Sequence, residues 1–150
     1  MRMQIMKTNS SLRYFLLYIF PVIVWVICIF TLSSIPFTPT IKPLFRYFDK
    51  VVHFIEYGIL GYFSSRAIYN HHYSKAKKYA VFFSILFGCF FAVADEYHQI
   101  FVPGRINSFG DFLADAGGLI IVQIPFIIRN MNINKIPNKQ DIKFQKKHQV

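Results

Sequence analysis

The chain has 150 residues, of which 54% are hydrophobic and only 16% are charged, well below the roughly 25% charged residues of a soluble domain. The apolar residues form long blocks, and this pattern favours a membrane protein over a soluble domain. The net charge of +10 does not indicate nucleic-acid binding, because no nucleic-acid-binding motif is present and basic residues of membrane proteins collect in cytoplasmic segments.

The first predicted element is an uninterrupted apolar run from Tyr14 to Thr31. It is long enough to cross a bilayer, which takes roughly 17–25 residues. Basic residues precede it, as in a signal peptide, but no small-residue cleavage site follows. We therefore interpret it as a signal-anchor helix, in which Pro21 predicts a mild kink.

Three further spans are predicted along the chain, at about Val51–Tyr69, Tyr79–Gln99 and Asp111–Arg129. The first of these three is the least apolar, because ionisable residues interrupt it. The sequence therefore predicts an all-α integral membrane protein, a bundle of four transmembrane helices with short loops. Residues 14–130 form this membrane domain, between a cytoplasmic N-terminus at residues 1–13 and a basic, flexible cytoplasmic tail at residues 131–150.

The distribution of basic residues predicts the orientation of the bundle. Most of the 17 Lys and Arg residues lie in the N-terminus, the segment between the second and third spans, and the tail. Because such residues are enriched on the cytoplasmic side, we expect a multi-pass protein of the cell membrane with both termini in the cytoplasm. The bilayer itself, including its anionic lipids, is the first expected partner.

The acidic residues lie on the opposite side of the membrane in this topology. Of the 7 acidic residues, all but Asp141 fall at the outer ends of the second, third and fourth spans: Asp49, Glu56, Asp95, Glu96, Asp111 and Asp115. Ionisable groups at such a depth usually face the bundle interior or an aqueous cavity. The sequence therefore predicts one outward-facing polar pocket.

Helical spacing places the polar residues of each span on one stripe. Asp49, His53 and Tyr57 are four apart, as are Asp95 and Gln99, and Asp111 and Asp115. Between the last two spans, Pro103-Gly104 predicts a turn that brings Arg105 over the carboxylates. Asn107 or Ser108 is expected to cap the fourth helix, and Gly117 and Gly118 to allow close helix contact.

Three segments carry a resemblance to a known family. The string Asp49-Lys50-Val-Val-His53-Phe-Ile-Glu-Tyr57 resembles the DKxxHxxxYxxL motif of the VanZ-like family. Glu96-Tyr-His-Gln99 followed by Pro103-Gly-Arg105 resembles its ExxQxxxPxR segment, and Asp111 to Gly118 resembles its DxxxNxxG segment. Asp115 stands where that family usually has Asn, and this extra carboxylate would strengthen a cation site or pair with Arg105.

The resemblance implies a small polytopic protein of the bacterial cell envelope, in a family whose namesake is associated with glycopeptide resistance. His53 and Glu96 are the candidate catalytic residues, and the candidate binding residues are Asp49, Lys50, Glu56, Tyr57, Gln99, Arg105, Asp111 and Asp115. A divalent cation is a candidate cofactor. Expected partners are a lipid-linked envelope precursor or an envelope enzyme, and no nucleic acid.

Besides transport or ion conduction, for which four short spans are few unless the protein oligomerises, two functions and one structural alternative stay open from the sequence. One function is non-catalytic binding of a lipid-linked or glycopeptide-related envelope ligand, with a link to antibiotic resistance. The other is a hydrolase or transferase acting on a lipid-linked phosphate or sugar, with His53 as general acid or base. The structural alternative is that charges at helix ends cap helices and complement their dipoles, which alone explains Asp49 and Asp111.

Overall fold

A computed structural model provides the structure of the protein and describes residues 10–36, 47–72, 74–105 and 108–135. Within these ranges the regular structure is entirely helical, so the all-α prediction is confirmed. The helices are α1 (Ser10–Ser33), α2 (Phe48–Tyr69), α3 (Ser74–Lys78), α4 (Ala80–Gln99), α5 (Phe109–Ile121) and α6 (Ile124–Lys135). Asn107, one of the two predicted helix caps, lies outside the described residues.

Three helical stretches of the described chain are long and apolar enough to cross a membrane: Ser10–Ser33, Ala80–Gln99 and Phe109–Arg129. The predicted second span is not among them, although α2 has 22 residues. Its polar side chains lower its mean hydropathy, and two of them, His53 and Ser65, are buried in the bundle. Length and composition therefore support three spans, where the sequence pattern predicted four.

The long helices run up and down beside one another, as contacts at both ends of the bundle show. At one end, Arg105 after α4 donates to the carbonyl oxygen of Leu32 in α1 at 3.0 Å. At the other end, the Tyr14 hydroxyl at the start of α1 donates to the carbonyl of Ala67 in α2 at 2.7 Å. Successive long helices are thus antiparallel, and α2 passes through the full length of the bundle.

Proline explains the irregularities of the first and last long helices. A π-helical turn at Phe15–Ile19 precedes Pro21. Since Pro21 has no N–H to donate to Leu17, the Leu17 carbonyl is open to another donor, and the Arg66 guanidinium donates to it at 3.3 Å. In the predicted fourth span, Pro125 follows the turn between α5 and α6. The helix then continues to Lys135, into the predicted tail.

Glycines allow α2 and α5 to form the most extensive helix–helix contact in the structure. A side chain at Gly118 would meet the backbone of Phe54 and Gly58 in α2. The predicted close contact is confirmed at Gly118, because the backbones approach there without intervening side chains. At Gly117 an added Cβ would meet only the Phe54 ring, at 3.4 Å.

The distribution of polar residues is inverted relative to a soluble protein. Large apolar side chains cover the outside, and several, such as Phe90, Phe101 and Phe109, are about two-thirds exposed or more. Among the described residues, the buried polar ones are Ser33, His53, Ser64, Ser65, Ser84, Asp95, Glu96, Gln99, Asp111, Asp115 and Gln123. An apolar outside around a polar interior fits a bilayer as the solvent, where polar groups turn toward the bundle.

A buried hydrogen-bond network around Gln123 links the helices on the basic side of the bundle. Gln123 accepts from the Ser65 hydroxyl at 2.5 Å and donates to the Leu119 carbonyl at 3.1 Å. We expect Gln123→Leu, which keeps the volume, to lower the free energy of unfolding by about 1–2 kcal/mol, because the Ser65 hydroxyl loses its acceptor.

Thermal unfolding of the full chain in detergent micelles measures this loss. In Gln123→Leu/Ser65→Ala both polar partners are gone, so this variant should regain most of the lost stability. Equal stability of Gln123→Leu and the unmodified protein would show that the network contributes nothing.

Candidate functional site

A cleft of about 230 Å³ opens at the end of the bundle where the three motif segments meet. One wall is apolar, formed by the end of α1 and the start of α2, with Leu32, Ile35, Pro36, Phe48 and Val52. The remaining lining is mostly polar and comes from three segments: Ser33, Asp49, His53, Glu56, Asp95, Gln99 and Arg105. The cleft therefore combines an apolar side with a floor of hydrogen-bonding groups, as ligand sites usually do.

Arg105 reaches the cleft from the turn after α4, where Gly104 has a φ of 79°. This left-handed backbone conformation requires glycine, and the turn predicted from Pro103-Gly104 is confirmed. Arg105 donates through Nε to the carbonyl of Ile35 at 3.3 Å and through Nη2 to that of Leu32 at 3.0 Å. These two hydrogen bonds connect the turn to the end of α1. They also place Arg105 in the lining of the cleft, together with its carboxylates.

Lys50 and Asp111 form an ion pair between the starts of α2 and α5. Lys50 Nζ lies 2.6 Å from Oδ1 of Asp111, which is buried, and 3.4 Å from the Ser108 hydroxyl. Both residues lie beside the cleft rather than in it.

His53 connects the cleft with a deeper group of side chains. Its Nδ1 lies 3.0 Å from Oδ1 of Asp115 on α5, and both side chains are buried. The sequence pattern suggested Arg105 as one partner of Asp115, and it placed Asp49 on the same helical stripe as His53. In the structure Asp115, a residue 62 positions away, orients the imidazole ring.

Glu96 approaches the same imidazole from α4. Ligand atoms of His53, Glu96 and Asp115 all lie within 4.8 Å of one another. Glu96 Oε2 also accepts from the backbone N–H of Ser108 at 3.2 Å, and the Ser108 hydroxyl caps α5 by accepting from Gly110 at 3.2 Å. The cap predicted at Ser108 is confirmed, and Glu96 is held by the α5 N-terminus, outside the cleft lining.

Several buried polar atoms near His53 have no hydrogen-bond partner among the described residues. They are Oδ1 of Asp95, Oδ2 of Asp115 and the hydroxyl of Tyr57. The other oxygen of Asp95 accepts from the Gln99 side chain at 3.2 Å. Buried polar groups are nearly always paired, so open acceptors in such positions mark a place where a ligand, water or ion would be stabilised.

The predicted site residues separate into neighbouring groups at one end of the bundle. Asp49, His53, Glu56, Gln99 and Arg105 line the cleft. The other five lie beside or beneath it: Lys50, Tyr57, Glu96, Asp111 and Asp115. Sequence reasoning did not name Asp95 as a site residue, although its spacing from Gln99 placed it on the polar stripe. It also missed the apolar wall, whose α1 residues carry no motif.

Comparison with known proteins identifies one family. The family model described as VanZ/LLP1 matches residues 6–130, which is most of the chain. It is the family that the three motif segments predicted. No curated protein matches the chain, and no solved structure matches it.

Proposed function

Because the chain belongs to the VanZ/LLP1 family, we propose that it is a multi-pass cell-membrane protein whose outward-facing cleft binds an envelope ligand. The observation that carries this proposal is the cleft itself, with its apolar wall and its floor of His53, Glu56 and Asp95. A ligand with a lipid tail and a polar head would place each part against a matching surface. The function is thus recognition of an amphipathic envelope molecule at the outer leaflet.

Four crossings with both termini inside account for the arrangement of the helices. At 22 residues, α2 is roughly 33 Å long, about the thickness of the hydrocarbon core. It is antiparallel to α1 and α4, and His53 turns inward, so its low mean hydropathy need not exclude it from the bilayer. At the opposite end, Arg66 and Arg129 lie over the rings of Tyr18 and Tyr69, as expected at a cytoplasmic headgroup interface.

The charge of the cleft favours a ligand head that donates hydrogen bonds. Asp49, Glu56 and Asp95 offer acceptors, whereas Arg105 already donates to two backbone carbonyls. An ionised carboxylate only accepts hydrogen bonds, so hydroxyl and amino groups complement it better than phosphate does. An amino sugar carries both groups and occurs in lipid-linked envelope precursors and in glycopeptides. Capture of such a molecule would connect the protein to the antibiotic resistance that the resemblance implies.

Binding to the full chain in lipid nanodiscs tests this proposal. The probes are a polyprenyl diphosphate carrying an amino sugar, the same polyprenyl diphosphate without the sugar, and the glycopeptide teicoplanin. We expect at least one amino-sugar probe to bind about tenfold or more tightly than the bare diphosphate. Asp95→Asn should weaken that binding by about tenfold, the cost of one charge-assisted hydrogen bond.

The matched control is Asp141→Asn, which makes the same chemical change outside the described residues and should leave the affinity unchanged. Binding of the sugar-bearing polyprenyl diphosphate would identify the ligand as a lipid-linked precursor, and binding of teicoplanin would identify it as a glycopeptide. The proposal is wrong if a folded, unmodified protein binds neither, or if it prefers the bare diphosphate.

A second candidate function is a membrane-embedded hydrolase or transferase acting on a lipid-linked phosphate or sugar. The observation in its favour is the His53–Asp115 pair at the cleft, since a carboxylate that orients an imidazole is the usual arrangement of a general base. Glu96, which lies beneath the cleft, would act as a second base. Turnover of the sugar-bearing lipid that disappears in both His53→Ala and Glu96→Gln would favour this function, whereas binding without turnover would favour recognition alone.

A further inference from the structure

A compact group of buried ligand atoms lies beneath the floor of the cleft. It consists of the His53 imidazole from α2, the Glu96 carboxylate from α4 and the Asp115 carboxylate from α5. Their exposed fractions are 4%, 6% and 0%. Three helices thus bring one nitrogen and two carboxylates, all within 4.8 Å of one another, into a site screened from solvent.

The Asp115 carboxylate of this group has His53 as its ion-pair partner, 3.0 Å away, and forms no ion pair with a lysine or arginine of the described chain. Asp95, next to Glu96 in the sequence, forms no ion pair within the described residues. Buried carboxylates without a permanent cation beside them are costly, by several kcal/mol each in order of magnitude. A bound metal cation would reduce that cost.

Asp115 supplies an independent indication of a ligand. Its side chain is fully buried, and Oδ2 has no hydrogen-bond partner among the described residues, although Oδ1 is bonded to His53. The oxygen thus lies beside the imidazole as an acceptor that is not used inside the protein. Neither helix capping nor the dipole of α5 accounts for a carboxylate at this position, because Asp115 lies in the second turn of that helix.

From these observations we propose that His53, Glu96 and Asp115 bind one divalent transition-metal ion of the Zn²⁺ or Mn²⁺ type. Imidazole nitrogen together with carboxylate oxygen is a donor set that both ions accept, whereas Ca²⁺ and Mg²⁺ prefer oxygen alone. Three protein ligands leave coordination positions open for a water or a ligand oxygen. His53 also lines the cleft, so the ion would lie next to the head of a bound molecule.

The metal site goes beyond the proposed recognition of an envelope ligand and does not depend on it. Its test therefore uses Mn²⁺ alone, added to chelator-treated full chain in nanodiscs without any probe ligand. Electron paramagnetic resonance measures the number of bound Mn²⁺ ions per chain. We expect one bound Mn²⁺ per chain, and we expect added Zn²⁺ to displace it. Electron spin echo modulation should detect one imidazole nitrogen on the bound Mn²⁺, and this readout needs no variant.

Conservative variants locate the ion. Asp115→Asn and His53→Gln should each weaken Mn²⁺ binding by on the order of 10- to 100-fold, and His53→Gln should abolish the nitrogen modulation. Asp141→Asn and His72→Gln, which make the same changes elsewhere, should alter neither signal. Helical content by circular dichroism verifies that each variant is folded.

The result that overturns the metal site is a folded chain that binds no Mn²⁺ or Zn²⁺. Binding that survives unchanged in both Asp115→Asn and His53→Gln would overturn it as well, by placing the ion elsewhere. Failure of metal binding leaves the amino-sugar experiment standing, and failure of that experiment leaves the metal titration standing, so the two proposals are tested separately.

Discussion

Replacing Gly118 with alanine is expected to destabilise the protein by about 3 kcal/mol or more, at or beyond the upper end of the usual cost of overpacking. The added Cβ would overlap the carbonyl oxygen of Phe54 and lie 3.0 Å from the backbone nitrogen of Gly58. Backbone atoms of α2 cannot rotate away as a side chain can. The two helices must separate, and α5 carries Asp111 and Asp115 away from α2 with it.

Gly117→Ala is the matched control, since it makes the same change one residue earlier on the same helix. Its Cβ would meet only the ring of Phe54, at 3.4 Å and 3.5 Å, which is close to ordinary contact. Alanine also favours the helix by up to about 1 kcal/mol, so this variant should be nearly neutral. Thermal unfolding in detergent compares the two, and equal unfolding temperatures would show that the α2–α5 contact does not limit stability.

Much of this architecture was predictable because it rests on local patterns. The apolar runs predicted helices, and the Pro103-Gly104 turn and the Ser108 cap follow from residue chemistry over a few positions. The sequence provided weaker support for α2 as a membrane span. A hydropathy average is lowered by His53 in the same way whether its side chain faces lipid or other helices. Only tertiary structure shows that this imidazole faces helices rather than lipid.

The candidate site was predictable as a region and not as a set of contacts. Helical spacing placed the acids on stripes at one end of the bundle, but spacing within a helix cannot choose partners between helices. It placed Asp49 on the same stripe as His53, whereas the structure pairs His53 with Asp115 on another helix. The apolar wall could not be found either, because residues such as Leu32 and Ile35 look the same in sequence whether they face lipid or a cleft.

Lys50→Met is expected to lower the free energy of unfolding by about 2–3 kcal/mol. Asp111 is buried and lies 2.6 Å from Lys50 Nζ, so the variant leaves a carboxylate without its cation. The loss stays below the roughly 3–5 kcal/mol of a fully buried pair, because 33% of the Lys50 side chain is exposed.

The double variant Lys50→Met/Asp111→Asn separates the ion pair from the packing of the lysine stem. With both charges removed, most of the lost stability should return, since a buried pair contributes little compared with neutral groups of similar volume. Asp49→Asn is the matched control: Asp49 lies 4.0 Å from the same Nζ with its side chain 46% exposed. An exposed pair contributes about 0.5 kcal/mol or less, so the control should change little in stability.

A double variant no more stable than Lys50→Met would mean that the charge of Asp111 is satisfied by something other than Lys50. The start of α5 would then be held by its Ser108 cap rather than by this pair.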